Sequence, residues 1–334
     1  MTKAATTAHG ASRLTGAAWI FAVLAFGAVV AIVAQRGEIA AVCRLLLHAD
    51  PRWLLLGCVF QMLTYVMAAG VWQVALRATG QHQPLGSLME LALAMLFGNQ
   101  AVPSVGLSGG LLVVEALVRR GVPKTAAMSA LVLGLVTTYI AFLVALTLTL
   151  VLVRESHTST VIAVGAASAF GLMAGAVTFG IFEFERLPPA WRRRLSHAPI
   201  VGTALSGLLT APVEGLRHGM MVLKATVLQL TEIGFDAATL GVSLIALRSP
   251  LAPGAVLSCY VIASVASRVA FAPLGIGTFE AGSVTLLHLA GVALGPALAA
   301  TLIFRGLTLW LPMLPGLWCA RRALRTRPAF HRGA

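Results

Sequence analysis

The amino-acid sequence predicts an all-α fold: a polytopic membrane helix bundle with two re-entrant helical hairpins in inverted-topology repeats. Three observations predict it. Of the 334 residues, 58% are hydrophobic and only 10% are charged, and the mean hydropathy is +0.90, whereas soluble domains usually carry about 25% charged residues. Apolar runs of the length a helix needs to cross a bilayer, roughly 20 residues, recur along the chain. Two apolar regions are interrupted by Pro and Gly clusters around Pro103 and Pro273, and non-helical backbone survives at membrane depth only where protein or a watery cavity satisfies its polar groups.

The net charge of +13 comes from 24 Lys and Arg against 11 Asp and Glu. Such a balance would suit nucleic acid, but the charges lie mainly in short segments between apolar runs and at the C-terminus. There they act as topology signals facing anionic lipid headgroups, so no nucleic-acid partner is expected. Cys43, Cys58, Cys259 and Cys319 have no CxxC or Cys/His metal spacing and read as packing residues. His218 and His288 have no second ligand at metal spacing, so neither a metal nor a cofactor is expected.

In chain order, residues 1–15 are small and polar and read as a disordered tail. Residues 16–320 form one transmembrane domain, and residues 321–334 a basic cytoplasmic tail with Arg321, Arg322, Arg325, Arg327 and Arg332. Gly16 to Ala34 is the first apolar run; its flanks resemble a signal peptide, but its length and the lack of a cleavage site make it a retained helix. Residues 35–52 mix charged and apolar residues as an interfacial helix would, before an Asp50-Pro51 helix start. Spans are expected at Trp53–Leu76, Thr125–Val153, Thr160–Phe182, Ala225–Leu247 and Pro296–Trp318. The stretch 199–222 reads as an interfacial or half-inserted helix. Glu183 to His197 is the most basic internal segment and is placed in the cytoplasm, as are both termini.

The stretch Ala272 to His288, APLGIGTFEAGSVTLLH, is a broken helix. Pro273, Gly275 and Gly277 end one helical run, and Glu280 sits in the first turn of the next, where the partly positive helix N-terminus favours a carboxylate. A matching break follows Asn99, with Pro103, Gly106, Gly109 and Gly110. Pro103 and Pro273 are 170 residues apart, as are Gly121-Val122 and Gly291-Val292. The same shift carries the half from about 53 to 153 onto the half from about 223 to 320. With residues 183–197 inside, the two hairpins enter from opposite faces, the inverted duplication that places transporter substrates between broken helices. The bland alternative is that these glycines only let helices approach closely.

Ionisable residues inside spans are costly and usually mark pathways or partners. Glu232 and Asp236 are four apart and share a helix face. Arg268 precedes the break, and Arg305 lies about ten residues into the last span. The functional reading pairs Glu280 with Arg305 or Arg268 beside a headgroup cavity, where an arginine grips phosphate through its planar fork of donors. The alternative is a set of structural ion pairs that lock the bundle. Glu90 and Glu115 read as interfacial.

The run Pro273-Leu-Gly275-Ile-Gly277-Thr-Phe-Glu280, followed by Phe304-Arg305-Gly-Leu-Thr-Leu-Trp310-Leu-Pro312 and Gly316, resembles the membrane region of lysylphosphatidylglycerol synthases. That region is the flippase-like domain of the multiple peptide resistance factor and its stand-alone relatives, some in hopanoid gene sets. Asn99, Pro103 and Gly109-Gly110 are similar to the family's other glycine-rich motif. Many relatives carry Arg soon after that glycine pair, whereas here Val114-Glu115 come first and Arg119 later. No long polar region corresponds to the aminoacyl-transferase domain. The resemblance therefore implies lipid translocation without lipid synthesis, in a bacterial cytoplasmic membrane. A membrane lipid is the expected substrate, with Glu280, Arg305, Arg268, Glu232, Asp236 and Asn99 as candidate contacts, and a homo-oligomer is compatible with this reading.

Two other classes remain. One is an accessory subunit of a lipid or glycan pathway. The other is a membrane enzyme on a lipid-linked substrate, which is disfavoured because no nucleophile has a neighbouring base.

Overall fold

The computed structural model describes residues 44–101, 107–152, 165, 171, 218–269 and 277–325. The expected spans at Gly16–Ala34 and Thr160–Phe182 lie outside these residues, apart from single positions in the second. So do the basic stretch Glu183–His197, residues 199–217 and the turn residues Pro103, Gly106, Pro273 and Gly275. Among the described residues the helices are α1 (Pro51–Ala78), α2 (Leu85–Ala101), α3 (Leu107–Arg119), α4 (Lys124–Leu152), α5 (Gly219–Ala246), α6 (Pro253–Val269), α7 (Thr278–Leu289), α8 (Leu294–Arg305) and α9 (Leu311–Arg325). A π-helical turn, Gly306–Trp310, joins α8 to α9.

Each boundary has a local cause. The Asp50 side chain accepts the Arg52 backbone N–H at 3.0 Å, and Pro51 occupies the first turn where no donor is needed. Four helices end in the same way: the chain turns left-handed and a backbone N–H beyond the turn donates to a carbonyl of the last helical turn. At α1 the turn residue is Gly80 and Gln81 donates to Leu76; at α3 it is Gly121 and Val122 donates to Leu117. At α5 it is Arg248 and Ser249 donates to Leu244; at α7 it is Gly291 and Val292 donates to Leu287. These are helix C-caps of the kind that favours glycine.

Arg248 holds a φ of 56° where α1 has glycine at its end. No atom lies within 4 Å of a Cβ built on Gly121 or Gly291, so a side chain there meets only the backbone penalty. Gly121→Ala and Gly291→Ala are each expected to lower stability by about 1–2 kcal/mol, and Arg248→Gly to raise it slightly. Thermal unfolding of the purified variants in detergent checks both signs.

The π turn lies where a proline interrupts the helix ladder. Pro312 has no N–H to give the Thr308 carbonyl and its ring crowds that oxygen, so the helix widens and the Leu311 N–H bonds to the Gly306 carbonyl. The helix then runs on to Arg325, into the basic segment that begins at Arg321. Ala323 is buried, the Arg322 guanidinium lies 5.3 Å from the centre of the Trp318 ring, and it sits 3.7 Å from Glu90.

Pro51–Ala78, Lys124–Leu152 and Leu294–Ala323 are long and apolar enough to cross a membrane. Helix α5 has 28 residues, as α1 does, and Glu232 and Asp236 near its middle lower its hydropathy. Helices α1 and α5 pack along one another and form the centre of the fold, with Gly70 of α1 against Leu228 of α5. Helices α2 and α3 form one packed pair and α6 and α7 another; α2 also lies against α9, and α6 against α4 and α5.

Candidate functional site

Two polar groups of side chains lie inside the bundle, joined by aromatic rings. The first is built at the start of α7. Gly277, with a φ of 88°, brings the chain into the helix, and Glu280 is the third helical residue, from where its side chain reaches back. Its Oε2 accepts the Gly277 N–H at 2.6 Å, satisfying one of the amides that a helix N-terminus leaves without a partner. Its Oε1 accepts from Arg305 Nε, also at 2.6 Å. Glu280 is 5% exposed. Removing two charges from water costs several kcal/mol per ion unless geometry and further hydrogen bonds compensate. Here both carboxylate oxygens are engaged and the guanidinium lies over the Phe279 ring, 5.1 Å from its centre.

Phe279 stacks on Phe304 at 5.3 Å, and Tyr260 of α6 meets both rings edge-on, at 6.3 and 5.8 Å. The Tyr260 hydroxyl then reaches the second group, donating to Asp236 Oδ2 at 2.6 Å. Gln61 of α1 donates from one amide nitrogen to Asp236 Oδ1 at 3.0 Å and to Thr239 Oγ at 2.9 Å. Asp236 thus accepts two neutral donors, one from each flanking helix, which suits a carboxylate in its charged form.

Glu232, one turn earlier and half-buried, makes no hydrogen bond or ion pair among the described residues. Arg268 rests its guanidinium on the Phe142 ring of α4 at 3.9 Å and donates to the Ser264 carbonyl of its own helix. It is within electrostatic range of Glu232 and Asp236 but forms no ion pair with a carboxylate among the described residues.

The structure therefore separates what the sequence grouped. Of the two candidate partners for Glu280, Arg305 is bonded to it, while Arg268 belongs with Glu232 and Asp236. Asn99 ties α2 to α3, its Oδ1 accepting the Gly109 N–H at 2.9 Å. Gly109 and Gly110 are buried where side chains would collide with Met95, Asn99 and Leu131. Glu115 pairs with Arg119 on an exposed helix face, and Glu90 lies between Arg120 and Arg322.

Sequence reasoning missed Gln61 and Tyr260, neutral residues in apolar helices that carry no charge to draw attention. The signal was present: Gln61 and Tyr65 stand four apart in α1, as Glu232 and Asp236 do in α5, which puts each pair on one face of its helix.

Among the described residues no three His, Cys, Asp or Glu side chains are placed to hold a metal. The arrangement offers charge and hydrogen bonding: a buried ion pair at a helix start, and an arginine of α6 within electrostatic range of two carboxylates of α5. No curated protein matches the chain. The family description of the lysylphosphatidylglycerol synthase TM region matches residues 19–316, which include both polar groups and every described helix except the last turns of α9. The chain belongs to the lysylphosphatidylglycerol synthase TM-region family.

Proposed function

We propose that this chain moves a polar-headgroup lipid between the leaflets of a bacterial cytoplasmic membrane. The substrate is a phospholipid, an aminoacylated lipid, or a lipid of the hopanoid or isoprenoid kind. The observation that carries this reading is the Glu280–Arg305 pair at the start of α7, a buried charge site of the sort that membrane proteins place on substrate paths, within a family named for lipid chemistry.

The headgroup crosses through a polar path between two re-entrant hairpins, α2/α3 and α6/α7, while the tails stay in the bilayer. Helix lengths support the hairpins. With 17, 13, 17 and 12 residues, these helices reach about 18–26 Å at 1.5 Å per residue, short of the roughly 30 Å hydrocarbon core.

The order and length of elements support the repeat. Helices α1 and α5 have 28 residues each and α2 and α6 have 17 each. Glycine turns close α3 and α7 at positions 170 apart, Gly121 and Gly291. In the inverted arrangement that we read from this, the hairpins meet from opposite faces, with both termini in the cytoplasm.

Proteoliposomes containing only this chain and a panel of headgroup-labelled lipids test the reading. Accelerated movement of one lipid class over empty vesicles is the expected result and names the substrate. No movement of any class by folded, inserted protein would overturn it in favour of an accessory subunit.

A further inference from the structure

The second polar group has a charge imbalance that the proposed lipid path does not by itself explain. Near the middle of α5 stand two carboxylates on one face, Glu232 and Asp236, against one guanidinium, Arg268. Asp236 accepts hydrogen bonds from Gln61 and Tyr260, which favour its charged form. Glu232 carries no such donor among the described residues. Other titratable or charged groups face this site from the helices packed around it. From α1 comes Tyr65, within electrostatic reach of both carboxylates; from α4 comes Tyr139, within reach of Arg268. From α6 come Tyr260 and Arg268. From α8 comes Arg305, which is bonded to Glu280 of α7. On α5 itself Lys224 lies two turns away and is exposed. Arg268 is thus the one guanidinium among these that is not in contact with a carboxylate.

We propose that Glu232 is a proton-binding site, and that it takes up a proton when an anionic headgroup engages Arg268. The charge count supports an exchange of one for one. With Asp236 and Glu232 ionised and Arg268 cationic, the group carries one net negative charge. An anionic phosphate diester on Arg268 would make that two, in a medium where each uncompensated charge costs several kcal/mol. A proton from water onto a Glu232 carboxylate oxygen restores the count to one, with no bond formed or broken other than that O–H. Gln61 and Tyr260 are positioning residues whose hydrogen bonds favour the charged form of Asp236, a support that Glu232 lacks among the described residues. The consequence for transport, that an anionic lipid moves together with a proton, rests on the proposed function; the proton site does not.

The test uses the full chain in zwitterionic-lipid nanodiscs in weak buffer, with a short-chain phosphatidylglycerol added as the anionic probe and short-chain phosphatidylcholine as the control. Wild type is expected to take up about one proton per bound phosphatidylglycerol and none with phosphatidylcholine. Its affinity for the anionic probe should fall about tenfold per pH unit above the titration of the site, as one-proton linkage requires. Infrared difference spectra should show a protonated carboxylic acid that appears with the probe. Glu232→Gln should lose the proton uptake and the band, Glu232→Asp should keep both, and Glu90→Gln, a change outside the site, should match wild type. Uptake that persists in Glu232→Gln overturns the proposal, as does binding of the anionic probe without uptake, or failure of the probe to bind. Uptake at Glu232 in a protein that moves no lipid in proteoliposomes would instead keep the proton site and remove the transport reading.

Discussion

Arg305→Ala is expected to cost the fold about 3–5 kcal/mol, since it leaves the Glu280 carboxylate buried without its cation. Glu280 is 5% exposed, so little water reaches its carboxylate in place of the guanidinium. Among the described residues only the Gly277 N–H then remains to it. Glu280→Gln should cost less, because the amide oxygen still caps Gly277 and Arg305 keeps its place over Phe279. The double variant Glu280→Gln with Arg305→Ala should recover part of the loss. Thermal or denaturant unfolding in detergent of the three variants forms the double-mutant cycle. Equal stabilities for wild type and Arg305→Ala would mean that the pair is not what holds α7 to α8.

The second large effect is expected at Gly109, where α2 and α3 touch. A Cβ placed there would overlap the Met95 carbonyl oxygen and the Asn99 side chain. The first is backbone and cannot turn aside. Asn99 would also lose its bond to the Gly109 N–H. Overpacking costs about 1–3 kcal/mol and a buried hydrogen bond left unmade about another 1–3. Gly109→Ala should therefore disrupt the α2/α3 pair far more than Gly86→Ala in the same region, where no atom lies within 4 Å of the added carbon. Protease susceptibility between α2 and α3, compared between these two variants, reads the difference.

The sequence made the Glu280 pair legible because charge in an apolar run is rare enough to notice, and because Pro and Gly ahead of it fix where α7 begins. It left the choice between Arg305 and Arg268 open. Arg268 lies closer to the break in sequence, whereas Arg305 is 25 residues beyond Glu280, and only the packing of α8 beside α7 brings Arg305 into contact. The Asp236 site was half legible. Glu232 and Asp236 stood out, but their partners Gln61 and Tyr260 come from α1 and α6, separated from Asp236 by 175 and 24 residues, and no local pattern encodes that meeting. The π turn after Arg305 was not legible either, since Pro312 permits a break in the ladder without specifying whether the helix kinks or widens. The bond from the Gly109 N–H to the Asn99 side chain, which ties α2 to α3, was not legible either, since it depends on how closely the two helices approach at a glycine.

The measurement that bears most directly on the proposed transport is the initial rate of transbilayer movement of the responding lipid in proteoliposomes with wild type or Glu280→Gln at equal insertion. A headgroup that depends on this charged site loses an interaction of about 1.5–3 kcal/mol, so the rate should drop about tenfold to a hundredfold. A Glu280→Gln protein that is folded and moves the lipid at the wild-type rate would contradict it and place the path elsewhere in the bundle.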